Sequence, residues 1–117
     1  IKSGHIHVKG SAHRFRDLVY IDDVVESFIC CEKNELSYGE IINVATGVKT
    51  EVGQIVDMLI KHYHRTVSAN FSGSTSGDVH GIYGDNRKLR KIADIEMTSV
   101  DIGLKKMLSW ALSTNDA

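Results

Sequence analysis

The stretch RFRDLVYIDDV, residues 14–24, sets Arg16-Asp17 before a short apolar run and Asp22-Asp23 after it. A helix start explains the second acid pair, because an aspartate there accepts a backbone N–H that has no partner inside the helix. Arg16 has no such explanation. A permanently charged guanidinium at the mouth of a buried strand needs an anionic partner. Asp17 and Asp78 are acids that the chain itself offers. Elsewhere the chemistry-bearing residues read more plainly. His5 and His7 share one strand face, as a metal pair would, but no third ligand accompanies them, so no metal is expected. His62 and His64 close a helix, where positive charge suits the dipole. The basic run NRKLRK reads as a solvated helix face rather than a nucleic-acid patch, because the chain as a whole is not basic. No Ser-His-Asp set emerges from the spacing.

These residues need elements to hold them. Residues 5–8 alternate weakly and end at Lys9-Gly10, which predicts a short strand and a turn. A second strand is expected over 16–21. A helix should follow over about 23–33, capped by Asp22 or Asp23, with Val24, Val25, Phe28 and Ile29 as its apolar face. Residues 40–44 (EIINV) predict a third strand that runs into the turn Ala45-Thr46-Gly47. Thr50 should cap a helix to about His62, striped by Val52, Ile55, Val56, Leu59 and Ile60. A fourth strand over 67–71 precedes the small-residue loop SGSTSGD. Gly81 to Gly84 reads as a brief extended piece. Asp85 or Asn86 should cap a short basic helix, and Ser99 a last helix to about Leu112. Strands and helices interleave, so the expected class is α/β, or α+β for the chain in isolation.

The composition narrows the class. The chain has 117 residues, 42% hydrophobic and 25% charged, with a net charge of −1. That suits one domain with a modest core and argues against nucleic acid or an anionic membrane as partner. No run approaches the roughly 18 apolar residues that span a bilayer, and IKSGHIHVKG lacks the apolar centre of a secretory signal. Cys30 and Cys31 are adjacent inside a predicted helix and read as reduced thiols of a cytoplasmic protein. No methionine precedes Ile1, and a strand begins almost at once, which suggests a fragment or a processed product.

Four stretches, in order, resemble one family. GSAHRFRDLVYIDDVV is similar to a glycine turn followed by "RDFVYVDDV"; INVATGVKTEVGQIVDML to "YNVGTG…TS…EL"; SGDVHGIYGDNRKLRKI to "PGDV…YADxSKAxxxLG"; and SVDIGLKKMLSWA to "SLEEGLKKMVEW". Together they resemble the C-terminal half of an extended short-chain dehydrogenase/reductase, of the NAD-dependent nucleotide-sugar epimerases and dehydratases, nearest to UDP-glucose 4-epimerase-like members. The resemblance covers essentially all of residues 1–117. It implies a single domain, the nucleotide-sugar-binding portion of such an enzyme with its last Rossmann strand and helix. It implies that Arg16 contacts the diphosphate of the substrate, a role suited to a bidentate guanidinium. It implies that Asp78 accepts hydrogen bonds from the ribose hydroxyls, although a plain turn aspartate after Gly77 would look the same. Ile6, His7 and Val8 match the strand that flanks the base, and equally an ordinary edge strand. Thr46 and Gly47 form a turn with no assigned contact.

The departures bear on function. The family reads "RPGD" where this chain has Thr75-Ser76-Gly77-Asp78, so one arginine clamp on the diphosphate and a rigid proline are both absent; the chain contains no proline at all. A glycine-rich turn for the dinucleotide pyrophosphate is also absent, as is a Tyr-x-x-x-Lys pair, since none of Tyr20, Tyr38, Tyr63 or Tyr83 has a lysine four residues on. NAD is therefore expected in the intact parent enzyme, which would oxidise the sugar C4 hydroxyl to a transient ketone and return hydride to the opposite face. None is expected on this chain alone. The rival expectation is a stand-alone, non-catalytic module that binds a nucleotide or a protein. Strand 41–44 and helix 23–33 would belong to a larger sheet, so in isolation a homodimer or swapped oligomer is expected.

Overall fold

The computed structural model describes residues 4–63, 66–74, 76–77 and 79–114. It is a mixed α/β structure with two small sheets. β1 (His5–Lys9) pairs in parallel with β4 (Ser68–Ser72), in the register Ile6–Ala69 and Val8–Phe71. β2 (Phe15–Arg16) lies between β3 (Thr50–Glu51), antiparallel, and β5 (Gly81–Ile82), parallel. The helices are α1 (Ile21–Glu32), α2 (Val52–Tyr63), α3 (Arg87–Ile92) and α4 (Val100–Ser113), and a 3₁₀ turn spans Glu35–Ser37.

The core is small and sits where α2 packs on α4. Val56 and Tyr63 of α2 and Leu104 and Leu108 of α4 are buried there, while Ala45 and Leu89 of α3 are buried elsewhere. His62, in the last turn of α2, adds a 2.9 Å contact to Asp101 Oδ1 of α4. Ser99 caps α4 as its sequence predicts, its Oγ accepting from the Ile102 amide.

Two starts differ from expectation, and at a third, α3, Asp85 rather than Asn86 takes the capping bond. α1 begins at Ile21, two residues early, with Tyr20 at the N-cap and no side-chain cap. The acid pair lies inside the first turn, and Asp23 turns inward. Its carboxylate accepts from Thr98 N (2.8 Å) and Thr98 Oγ1 (2.7 Å), tying the 93–99 loop to the helix. Thr50 does not cap α2; it is buried in β3 opposite Arg16, and Gln54 Oε1 takes the Glu51 amide instead. At α3, Asp85 Oδ1 accepts from the Arg87 amide, while the Asn86 side-chain amide donates to the carbonyls of Ala45 and Thr46.

Two expected strands are extended segments without a full ladder. Only Phe15 and Arg16 of the second strand pair; Asp17 adds one bond, N to Ile82 O, and residues 18–20 have no ladder. Residues 41–44 alternate in burial like a strand, Ile42 and Val44 inward, Ile41 and Asn43 outward. No strand lies beside them among the described residues. Side chains hold them: Asn43 Nδ2 donates to Asp85 O, and Lys88 Nζ donates to Ile41 O and Glu40 Oε2. A strand needs a neighbour as well as an extended backbone.

The apolar face predicted for α1 is real, but it looks outward. Val25, Phe28 and Ile29 are exposed, Phe28 by 69%, while Asp23 and Ser27 are the buried residues of the helix. Ser27 donates to Asp23 O within the same turn. The helix thus rests on a polar stripe and presents an apolar one.

Candidate functional site

Arg16 emerges from the centre strand of the β3-β2-β5 sheet, half-buried, opposite Thr50 on one side and Ile82 on the other. Its Nη1 donates to Phe15 O at 2.7 Å. Phe15 anchors an aromatic group beside it. The ring meets His80 edge-on at 5.7 Å and Tyr83 at 6.5 Å, and Lys49 Nζ lies 5.1 Å from the Phe15 centroid and 4.4 Å from that of Tyr83. Such a cation over two rings is held electrostatically by their quadrupoles. Gly81 is required here, because a Cβ would fall 2.1 Å from the Phe15 ring.

Asp17, the acid next to Arg16 in sequence, is committed elsewhere. Oδ1 accepts from Thr46 N (2.9 Å) and Thr46 Oγ1; Oδ2 accepts from Gly47 N (2.9 Å) and Gly84 N (3.1 Å). Burial alone would push this carboxyl up. The Thr46 hydroxyl and the three amides, stabilising the charged form, hold it below its ordinary value.

β1 divides its three candidate residues between two faces. Ile6 and Val8 lie on the half-buried face, and His7 on the open one with His5 and Lys9. The two imidazoles converge on one acceptor: His5 Nε2 and His7 Nδ1 lie 2.8 and 3.0 Å from Asn70 Oδ1, and His5 Nδ1 lies 2.7 Å from Ser68 Oγ. The pair is thus engaged with β4. No group of three His, Cys, Asp or Glu that could hold a metal occurs among the described residues. A turn over residues 10–14 joins β1 to β2, and Arg14 fastens it by donating to Lys9 O and Ser11 O. Asp78 lies outside the described residues.

The basic run behaves as a solvated face. Arg87 pairs with Asp85, whose pKa it lowers to about 2, and Lys88 pairs with Glu40. A cavity of 1030 Å³ opens between α2, α3 and the 93–99 loop, with Lys49, Arg90, Asp94 and Asp101 on its walls. Ile6, His7, Val8 and Arg16 do not line it. Nothing in the sequence signals the Lys49 cage, in which Lys49 meets rings that lie 34 positions away in either direction.

No family model matches the chain. Individual relatives do. The UDP-glucuronate 4-epimerase of Thermodesulfobacterium geofontis is 29% identical over 108 residues, covering 91% of this chain and 33% of its own length. The solved UDP-glucose 4-epimerase of Thermotoga maritima, with UDP-glucose, superposes with a TM-score of 0.82 at 27% identity, over 96% of this chain and 36% of that one. The UDP-glucuronic acid 4-epimerase of Bacillus cereus, in complex with UDP-glucuronic acid and NAD, superposes with a TM-score of 0.81 at 23% identity, over 92% and 35%. The chain is thus similar to one part of the NAD-dependent nucleotide-sugar epimerases and dehydratases, in sequence and in fold.

The chain spans about a third of the length of the curated relatives it matches. Three of the four family-like stretches meet at Asp17: the "RD" segment supplies the carboxylate, the "NVATG" segment the Thr46 and Gly47 donors, and the "YGD" segment the Gly84 amide. What the family motifs share in this chain is therefore one hydrogen-bonded junction behind β2.

Proposed function

We propose that the chain is the substrate-binding portion of an NAD-dependent nucleotide-sugar epimerase, acting on a UDP-sugar at C4, with residues 1–117 as one domain. The observation that carries this reading is Arg16, a half-buried guanidinium set at the end of the central strand of the β3-β2-β5 sheet. The relatives named above act on or hold UDP-sugars. Arg16 would hold the diphosphate, Asp78 the ribose hydroxyls, and β1, through Ile6, His7 and Val8, would flank the base. NAD belongs in this reading to the intact parent enzyme. The residues of this chain do not fit it, having no glycine-rich strand–turn–helix passage, so no hydride step is assigned to them. Cys30 and Cys31 are free thiols, which suits the cytoplasm. No helix among the described residues is long and apolar enough to cross a membrane.

The test is a calorimetric titration of UDP into the chain and into Arg16→Ala. Loss of one charge-assisted interaction, roughly 1.5–3 kcal/mol, predicts ~10- to 150-fold weaker binding. Unchanged affinity removes Arg16 from the role.

A second reading has its own observation. The outward apolar face of α1, beside the extended segment 41–44, favours a non-catalytic module that binds a protein, in the simplest case a second copy of itself. Saturable association without UDP binding would favour it.

A further inference from the structure

We propose that Asp17 is the positioning residue for Arg16: its carboxylate gathers two loops behind β2 and thereby fixes the direction in which the guanidinium leaves the strand. The proposal rests on the phosphate-holding reading of Arg16. Adjacent residues of a strand project to opposite faces, so what pins Asp17 on one face orients Arg16 on the other. The pinning is dense. Oδ1 takes both Thr46 donors, Oδ2 takes the Gly47 and Gly84 amides, and the Asp17 amide donates to Ile82 O at 3.1 Å. The Asn86 side-chain amide closes the same 45–47 turn from the far side. At Gly84 a Cβ would sit 2.3 Å from that of buried Ala45, so this loop reaches Asp17 only as glycine.

Every donor here is an N–H or O–H, so only a group with two acceptor oxygens satisfies them all. Asparagine keeps one oxygen and sets an NH₂ against two of the donors. Asp17→Asn should therefore loosen the junction while leaving the Arg16 side chain in place chemically.

Two measurements test this. The first is a double-mutant cycle on UDP affinity with Asp17→Asn and Arg16→Ala. Asp17→Asn should weaken UDP about tenfold or more in the native background and less than about twofold once Arg16 is gone, the signature of coupled residues. Equal weakening in both backgrounds overturns the proposal. Asp23→Asn serves as a structural control, because Asp23 also accepts two bonds from Thr98. If it weakens UDP as much as Asp17→Asn, the effect is general destabilisation and the proposal falls. The second measurement needs no ligand. The Arg16 Hε–Nε resonance, assigned by its loss in Arg16→Lys, should broaden or collapse toward the solvent-exposed arginine position in Asp17→Asn. An unchanged resonance overturns the proposal even if the native chain fails to bind UDP. Conversely, an Arg16→Ala chain that binds UDP normally, with a resonance that does respond to Asp17→Asn, leaves the positioning intact and rejects the phosphate role.

Discussion

Arg16 and Asp17 show how neighbouring opposite charges can serve different partners. The carboxylate lies close to neutral donors that only an acceptor can satisfy, and four such bonds outweigh one exposed ion pair, which is worth ~0–1 kcal/mol. The same bonds make stability respond to acid in a defined direction. Asp17, Glu40 and Asp85 all have folded pKa values below their ordinary ones, Asp85 at about 2. A depressed carboxyl binds fewer protons folded than unfolded, so its stabilisation is complete above the unfolded value, near ~4. It is lost as pH falls through the folded value. The urea midpoint should therefore be level from pH 7 to about 5 and fall between about 4.5 and 2. Asp17→Asn should lower the midpoint at neutral pH and flatten part of that acid limb. Salt should weaken the shares of Glu40 and Asp85, whose partners are exposed, but not that of Asp17. A limb of unchanged slope in Asp17→Asn would show that its hydrogen bonds do not persist in solution.

At the scale of the element, α1 is the informative case. Its 3.6-residue pattern is legible in the sequence, and so is its apolar face; the direction of that face is not. Period reveals which residues share a side, whereas orientation depends on what lies opposite, here Thr98, 75 residues away from Asp23. For the same reason EIINV and LVYI read correctly as extended and incorrectly as paired strands, because β-branched residues encode conformation and not the neighbour that completes a ladder. α2, β1, β4 and α4 are legible because their partners lie within the chain and their caps or alternation are local. The candidate site is half legible. Arg16 and the strand of Ile6, His7 and Val8 carry motif signals, while the partners of Asp17 come from separate stretches. The outward-facing α1 yields a prediction. Asp23→Ala removes the acceptor of two Thr98 donors in a buried place, and such a loss costs about 1–3 kcal/mol. Phe28→Ala, on the outer face, should cost less than ~0.5 kcal/mol in the monomer. Chemical denaturation of both variants checks this, and a Phe28→Ala cost equal to that of Asp23→Ala would mean that α1 sits the other way round.

For the whole molecule, area and shape agree. The chain exposes 8169 Å², whereas a compact monomer of its mass exposes roughly 6,300 Å². Its radius of gyration is 16.9 Å, with extents of 49 × 38 × 20 Å, against about 13 Å for a compact domain of roughly this length. It is an extended slab, and the outer face of α1 lies open. That face carries Ile21, Val25, Phe28 and Ile29 of α1, and Ile41 is 86% exposed. The excess, on the order of 1,800 Å² per chain, exceeds the ~800 Å² that each partner buries in a standard interface. Large apolar side chains left open in water favour cover, and the matched relatives are about three times this length. At high micromolar concentration the 117-residue chain should therefore sediment as a dimer or larger species. Phe28→Asp, which places a charge in the centre of the face, should shift it towards monomer at the same concentration while leaving the α2–α4 core folded. Strictly monomeric sedimentation of the native chain would mean that the face is hydrated as it stands. In that case the protein-binding reading loses its physical motive, and the nucleotide reading at Arg16 stands alone.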